Sequence, residues 1–153
     1  MAQVIIIKFL IAVFLVFENP EVIGGAPGLS IVPEESNLKD KVFQHLFNKI
    51  ISISFFIKNP LCGGQCQIVR RSSFEEVNRY NVNIVHGEDS DFFRRLRKTG
   101  KLHFFSDLVV FESPRRYRKF GYIILLLQGG YSLVYQQTFN KNVFKEWRRI
   151  EQY

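Results

Sequence analysis

Residues 88–100 carry the pattern that most restricts the fold of this chain. Acidic side chains come first in this segment, apolar side chains follow on one face, and basic side chains gather towards its end. Because the amino end of a helix favours negative charge and the carboxyl end favours positive charge, this order predicts a helix. Its buried face would consist of Phe92, Phe93 and Leu96, and Gly100 would end it in a left-handed conformation.

A second helix is predicted over residues 39–57. Apolar side chains recur there at helical spacing, which predicts that they pack while the polar side chains stay in water. The predicted packing face is Val42, Leu46, Ile50 and Ile53, and the predicted solvent face is Lys41, Gln44, Asn48 and Lys49. The Asn59-Pro60 pair should stop the helix, because the residue before a proline avoids the helical region.

Short apolar runs between these helices predict strands at residues 67–69, 102–105 and 108–111. Ser72 or Ser73 is expected to cap an intervening helix, since Glu75 or Glu76 follows at the spacing of a capping box. Residues 78–83 should close that helix with side chains that tolerate turns. The alternation of helix and strand predicts an α/β fold. Residues 18–40, rich in Gly, Pro, Glu and Asn, are instead typical of a surface loop or linker.

Two apolar stretches raise the question of a membrane. Residues 1–17 lack a basic start and a small-residue cleavage site, are short for a spanning helix, and would equally suit buried strands. Residues 120–135 follow a basic cluster at positions 115–119, which is typical of a cytoplasmic juxtamembrane or interfacial helix. An ordinary core helix with a solvated basic start explains the second stretch equally well.

The formal charge of +7 comes from one part of the chain, since residues 70–153 hold sixteen Lys or Arg against nine acids. Such a surface attracts nucleic acid, an anionic membrane or phosphorylated ligands. Nucleic acid is the least favoured of these partners, because acids that would repel phosphates precede the basic segment 94–101. Cys62 and Cys66 have neither redox nor zinc spacing, so we expect two free, partly buried thiols.

Asp89 is the best candidate for a catalytic residue. An acid at a helix start is usually explained by capping, which satisfies free N–H groups. Here Glu88, Asp89 and Asp91 crowd into four positions, and capping does not require such mutual repulsion. A carboxylate that takes a proton from an attacking hydroxyl must be ionised and must reach it directly. The helix terminus favours ionisation, and Gly87 allows close approach.

Several motifs together resemble glycosyltransferase family 2, over residues 17–153. The matching residues are Gly63-Gly64-Gln65, positions 68–75, positions 87–92, Arg95-Leu96, Gly100-Lys101 and positions 113–116. The resemblance implies a partial GT-A-like (Rossmann-like) domain, with a mixed sheet, flanking helices and C-terminal apolar helices at a possible membrane. It implies three segments: an apolar segment 1–17 of uncertain origin, the carboxyl-terminal half of a GT-A domain over 18–114, and a basic and apolar helical region over 115–153.

The same resemblance assigns roles to individual residues. Asp89 matches the general base, and Glu88 would lie beside it and orient the loop or touch the acceptor. Gly63, Gly64 and Gln65 would line the acceptor and donor sugar. Arg115 and Arg116 match basic residues near the diphosphate, although a juxtamembrane role explains them equally well. The family uses Mg²⁺ or Mn²⁺ on a DxD motif, but the only literal DxD here, Asp89-Ser90-Asp91, overlaps the base, so no metal ligand is assigned.

The expected function is inverting transfer of a sugar from a nucleotide-sugar donor to the hydroxyl of a glycan or lipid-linked acceptor. Because no DxD motif precedes residue 17, we expect an acceptor-side portion that is truncated at its amino end. The alternative is an inactive fragment that acts as a membrane-associated binding module. Either form is expected in the cytoplasm, without nucleic acid as a partner and with possible anchoring through the C-terminal apolar helix.

Overall fold

A computed structural model describes residues 2–139 and residue 143 of this chain. The helices and strands, in chain order, are α1 (Ala2–Phe17), β1 (Val22–Ile31), a short 3-10 helix (Pro33–Glu35), α2 (Leu38–Phe56), β2 (Ile68–Val69), α3 (Arg71–Glu76), α4 (Glu88–Leu96), β3 (Lys101–Glu112), α5 (Arg115–Phe120) and α6 (Tyr122–Phe139). The strands form one mixed sheet in the order β2-β1-β3, with β1 antiparallel to β2 and parallel to β3. The predicted α/β class, with a mixed sheet and flanking helices, is confirmed.

The central strand β1 lies where the sequence predicts a loop, so the loop prediction is wrong for Val22–Ile31. Its glycines are needed for close approach between strands. A Cβ at Gly25 would collide with the carbonyl oxygen of His103, and one at Gly24 would lie 3.2 Å from that of Ile68. Pro27, which has no N–H to donate, sits at the shift in register between β1 and β3. Residues that usually mark loops therefore build the buried strand.

β3 is one strand and not the predicted two. Its pairing with β1 jumps from Phe105 opposite Pro27 to Val109 opposite Gly28. The three intervening residues form an irregularity within the strand, as in a β-bulge. The two apolar runs in the sequence are thus the two halves of a single interrupted strand.

The predicted packing face of α2 is exposed, and Gln44 of the predicted solvent face is buried, whereas Lys41 and Lys49 are exposed as predicted. Gln44 is 5 % exposed, whereas Leu46 is 56 % exposed. Gln44 Oε1 accepts a hydrogen bond from the backbone N–H of Ile31 at 2.6 Å. Asn48 accepts from the N–H of Leu29 at 2.9 Å and donates to its carbonyl oxygen at 2.8 Å. The physical reason is that β2 pairs only with the first part of β1, so the later part needs other hydrogen-bond partners.

Helix α4 begins and buries its side chains as predicted, but two predicted helix ends are wrong. Gly100 does not have a positive φ; it is a close packing point, where a Cβ would lie 2.8 Å from the side chain of Ile23. Neither Ser72 nor Ser73 caps α3, which begins at Arg71. The cap position is held by Arg70, whose backbone N–H donates to Ile23 O at 2.9 Å, so the sheet sets the helix start.

The core lies between α4 and the sheet. Its buried members are Ile23, Ala26, Phe92, Phe93 and Leu96. Phe92 and Phe93 sit one turn after the acidic start of α4, so their burial fixes where that start lies relative to the sheet. The core therefore positions the candidate catalytic segment.

The carboxyl-terminal helices α5 and α6 are joined to α2 through Asp40. The buried carboxylate of Asp40 accepts a hydrogen bond from Tyr122 and lies 2.9 Å from the guanidinium of Arg118. The predicted helical region 115–153 is helical up to Phe139, and positions 140–142 and 144–153 lie outside the described residues. Among the described residues, no helix combines the length and the apolar character needed to cross a membrane.

Candidate active site

The start of α4 is held against the loop that precedes β2. Gly87 adopts a left-handed conformation, with φ 85°, immediately before the helix. The N–H of Cys62 donates to Ser90 Oγ at 3.2 Å, and the Ser90 hydroxyl lies 3.3 Å from the carbonyl oxygen of Cys62. These two contacts bring the predicted Gly63-Gly64-Gln65 loop to the predicted catalytic segment.

Gly64 lies directly against Asp89. A Cβ at residue 64 would be 2.8 Å from Asp89 Oδ2, closer than van der Waals contact allows. A Cβ at the neighbouring Gly63 would displace the flexible end of the Gln65 side chain. The absence of a side chain at Gly64 is what leaves room beside the carboxylate.

Asp89 has a second partner that sequence reasoning did not identify. Gln67 Nε2 donates to Asp89 Oδ1 at 3.0 Å, and the hydroxyl of Tyr80 donates in turn to Gln67 Oε1. No spacing in the sequence relates residue 67 to residue 89, because the contact depends on how β2 packs beside α4. Gln67 and Tyr80 are therefore positioning residues that only the tertiary structure reveals.

The pKa of Asp89 is raised to about 6. Burial is the main cause, the negative charge of Glu88 adds to it, and the hydrogen bond from Gln67 opposes it. At neutral pH most Asp89 side chains are ionised, yet each is a stronger base than an ordinary aspartate. A base with a pKa close to the working pH is well suited to proton transfer.

Asp89 opens into a cavity of about 470 Å³. One wall is polar and includes Gly63, Gln65, His86, Glu88 and Arg116. Apolar lining residues from α2 and α6 form what is called the apolar wall here: Phe47, Ile51, Leu125, Leu126 and Leu133. The cavity can therefore hold a ligand with a polar group at the carboxylate and an apolar part against the helices.

His86 connects the polar wall to α6. Its Nδ1 atom lies 2.8 Å from the hydroxyl oxygen of Ser132, which is buried. Burial lowers the pKa of His86, the carboxylate of Glu88 raises it, and Arg116 lowers it further. His86 is therefore neutral at physiological pH, and its contact with Ser132 holds α6 over the cavity.

The two predicted arginines lie in different places. Arg116 lines the cavity, where burial lowers its pKa. Arg115 is exposed, is not among the cavity-lining residues, and its Nε donates to the hydroxyl oxygen of Ser113 at 3.2 Å. Gln65 lies beside the cavity, but its amide donates to Glu112 Oε2 at 2.9 Å. The structure thus gathers the other predicted site residues around Asp89 and leaves Arg115 outside.

The chain matches no protein-family model, no curated protein and no solved structure. The resemblance to glycosyltransferase family 2 consequently remains a prediction from the motifs, and a GT-A-like fold remains a hypothesis about the three-stranded sheet.

A divalent metal ion needs several ligating side chains within reach of one point. Within residues 2–139, no group of three His, Cys, Asp or Glu side chains could hold one. Asp91, the second acid of the Asp89-Ser90-Asp91 sequence, is engaged by Arg95, whose Nε lies 2.9 Å from Asp91 Oδ2. Residues two positions apart also point to different sides of a helix. The acidic residues at this helix start do not fit Mg²⁺ or Mn²⁺.

Both cysteines are free, as predicted. Cys62 is partly buried, and burial raises the pKa of its thiol. Thiolate is the reactive form of cysteine, so Cys62 is not suited to act as a nucleophile in the cavity.

Proposed function

We propose that this chain serves inverting transfer of a sugar from a nucleotide-sugar donor to a hydroxyl acceptor, with Asp89 as the general base. The observation that carries the proposal is the carboxylate of Asp89, half-buried at a cavity, beside Gly64 and with its pKa raised to about 6. The motif resemblance supplies the reaction class, and the geometry supports a base at this position.

In the proposed step, Asp89 accepts the proton of the acceptor hydroxyl. The hydroxyl oxygen forms a bond to the anomeric carbon from the face opposite the diphosphate. The bond between that carbon and the diphosphate oxygen breaks, and the nucleoside diphosphate leaves with the electron pair. Inversion follows because the bond forms on one face while the other breaks.

The neighbouring residues have supporting roles in this proposal. Gln67 holds the carboxylate through its 3.0 Å hydrogen bond, and Gly64 leaves space for the acceptor. Glu88 raises the basicity of Asp89, and Arg116 offers positive charge to an anionic group of the ligand. Nucleotide and divalent metal would be held mainly by groups other than the described residues around Asp89.

The acceptor in this proposal is a glycan or a lipid-linked molecule. A lipid-linked acceptor suits the apolar wall, since its chain could lie against α2 and α6 while its hydroxyl meets Asp89. Cytoplasmic location, and membrane association of α5 and α6, are parts of the same proposal and await a fractionation experiment.

A transfer assay tests the proposal. The purified chain would be incubated with Mg²⁺ or Mn²⁺, a panel of nucleotide sugars, and glycan and lipid-linked acceptors. We expect transfer that declines below about pH 6, as Asp89 becomes protonated, and that falls at least ~100-fold in Asp89→Asn. Asp107→Asn is the matched control, because Asp107 is exposed on β3.

Two results would argue against sugar transfer. If no nucleotide sugar binds and no product forms, the proposed activity is wrong for this chain. If donor or acceptor binds without turnover, and Asp89→Asn changes nothing, the alternative of an inactive membrane-associated binding module is favoured.

A further inference from the structure

The outward face of α2 is an exposed apolar stripe. Its members are Leu38, Val42, Leu46, Ile50, Ile53 and Phe56, all of them at least 45 % exposed. They recur every three or four positions, so they form one line along a helix of 19 residues, or roughly 28 Å. A continuous apolar surface of this length marks an interaction site. The sequence pattern assigns Val42, Leu46, Ile50 and Ile53 of this stripe to the packing face, whereas the structure places them outside.

The exposed charged residues of α2 itself are cations. Lys39, Lys41 and Lys49 are exposed on α2, and Lys58 follows its last turn. The one acid of the helix, Asp40, is buried and paired with Arg118, so it contributes no negative charge to the outward face. The exposed face of α2 therefore combines apolar side chains with positive charge.

A basic pocket adjoins the carboxyl end of the stripe. It is lined by Lys58, Asn59, Arg94, Arg97 and Lys98, and each charged residue among these is a cation. The pocket is joined to the stripe through the chain, because Lys58 follows Phe56 and Ile57. Four cations around a shallow depression form a suitable site for a phosphate group.

We propose that α2 docks on an anionic phospholipid bilayer, with the stripe in the interface and the basic pocket on a lipid phosphate. A helix with one apolar face and flanking lysines lies in the plane of such an interface, and anionic lipids add attraction for each cation. A second copy of this chain is a poorer occupant, because a symmetric contact would bring these cations against each other. The proposal does not depend on sugar transfer.

Vesicle sedimentation tests the docking. The purified chain would be mixed with phosphatidylcholine vesicles, with or without phosphatidylglycerol. We expect binding to the anionic vesicles only, reversed by high salt. The double variants Leu46→Gln with Phe56→Gln, and Lys58→Gln with Lys98→Gln, should each weaken binding by about tenfold or more.

Two control variants test whether vesicle binding depends on the stripe and the basic pocket or only on the overall charge and hydrophobicity of the chain. Val82→Gln removes an apolar side chain that is 91 % exposed, and Arg71→Gln removes an exposed cation on α3; neither belongs to the stripe or the pocket. Both controls should bind like the unchanged chain, and circular dichroism should show that every variant is folded.

Three outcomes would overturn the proposal. The first is equal binding to neutral and anionic vesicles, or to neither. The second is binding that both double variants leave unchanged, which would place the contact elsewhere. The third is a concentration-dependent dimer that the stripe variants abolish, which would make this face a protein interface.

Discussion

The side-chain amide of Gln67 lies 3.0 Å from Asp89 Oδ1 and donates a hydrogen bond to it. A hydrogen bond to the charged form of a carboxyl favours ionisation, whereas burial and the nearby Glu88 oppose it. Gln67 thus limits how far the pKa of Asp89 rises. The same amide is bound on its other side by Tyr80, which holds it in this orientation.

Replacing Gln67 should raise the pKa of Asp89 further. In Gln67→Leu the carboxylate loses its donor, so we expect the pKa to move above its value of about 6. Carbon-13 NMR titration of the Asp89 carboxyl measures the change without any substrate. Gln65→Leu is the control, because that amide donates to Glu112. An unchanged or lower pKa in Gln67→Leu would contradict the assigned hydrogen bond.

Asp89 should destabilise the folded chain at neutral pH. Since its pKa is higher in the folded state than the ordinary value of 3.8, the folded state binds more protons, and stability falls as pH rises between about 4 and 6. Asp89→Asn removes this penalty and should raise the free energy of unfolding by about 1 kcal/mol at pH 7.5, allowing for partial solvent screening. Near pH 3.5 the gain should be almost absent.

Asp91→Asn is the matched comparison for that experiment. It is two residues away on the same helix, but its carboxylate pairs with Arg95 at 2.9 Å. Its removal should therefore lower stability, by about 0.5 kcal/mol for a pair at this helical spacing. Urea unfolding at both pH values measures the stability of the two variants side by side. If both variants changed the free energy of unfolding at pH 7.5 in the same direction, the different environments assigned to Asp89 and Asp91 would be wrong.

Gly64→Ala should disturb the site more than the fold. The added methyl would meet Asp89 Oδ2 at 2.8 Å, so the carboxylate must move and lose its alignment with Gln67. We expect a changed pKa of Asp89, at least ~tenfold weaker transfer if the proposed activity is present, and a stability change under about 1 kcal/mol. Gly130→Ala is the control: its Cβ would meet nothing within 4 Å, and it should stabilise α6 by up to ~1 kcal/mol.

The buried position of Gln44 and the exposed position of Leu46 on α2 allow a stability test of the structure against the sequence periodicity. Gln44→Leu should leave the buried N–H of Ile31 without its acceptor, at a net cost of about 1 kcal/mol in the free energy of unfolding, because removal of the unpaired Gln44 Nε2 donor offsets part of the loss. Leu46→Gln, on the exposed side, should change stability by less than about 0.5 kcal/mol. Denaturant unfolding compares the stability of the two variants. A larger loss of stability in Leu46→Gln than in Gln44→Leu would support the packing face predicted from periodicity.

The sequence correctly predicted those helices and turns that are stabilised mainly by interactions between neighbouring residues. The charge order and apolar spacing of residues 88–96 depend only on neighbours along the helix, so α4 and its buried side chains follow from the sequence. The turn after α3 is similar, since Asn78, within the predicted turn segment 78–83, adopts a left-handed conformation. The motifs also singled out Gly64 and Asp89, which the structure places side by side.

Long-range contacts reversed the predictions that rested on composition. Gly24, Gly25 and Pro27 are typical of a loop, but neighbouring strands approach so closely here that larger side chains do not fit. Polar periodicity assigned Gln44 and Asn48 to solvent, but unpaired backbone groups of β1 offered them hydrogen bonds.

The sequence by itself determined the α/β class, the position of α4 and the small set of residues around Asp89, because each of these follows from helical spacing, charge order or a motif. Only the tertiary structure decided that Gln67 supports Asp89, that Arg116 and not Arg115 lines the cavity, and that the apolar stripe of α2 faces outward. The physical reason is that backbone hydrogen-bond demand and burial arise between segments distant in the chain, and no local pattern contains them.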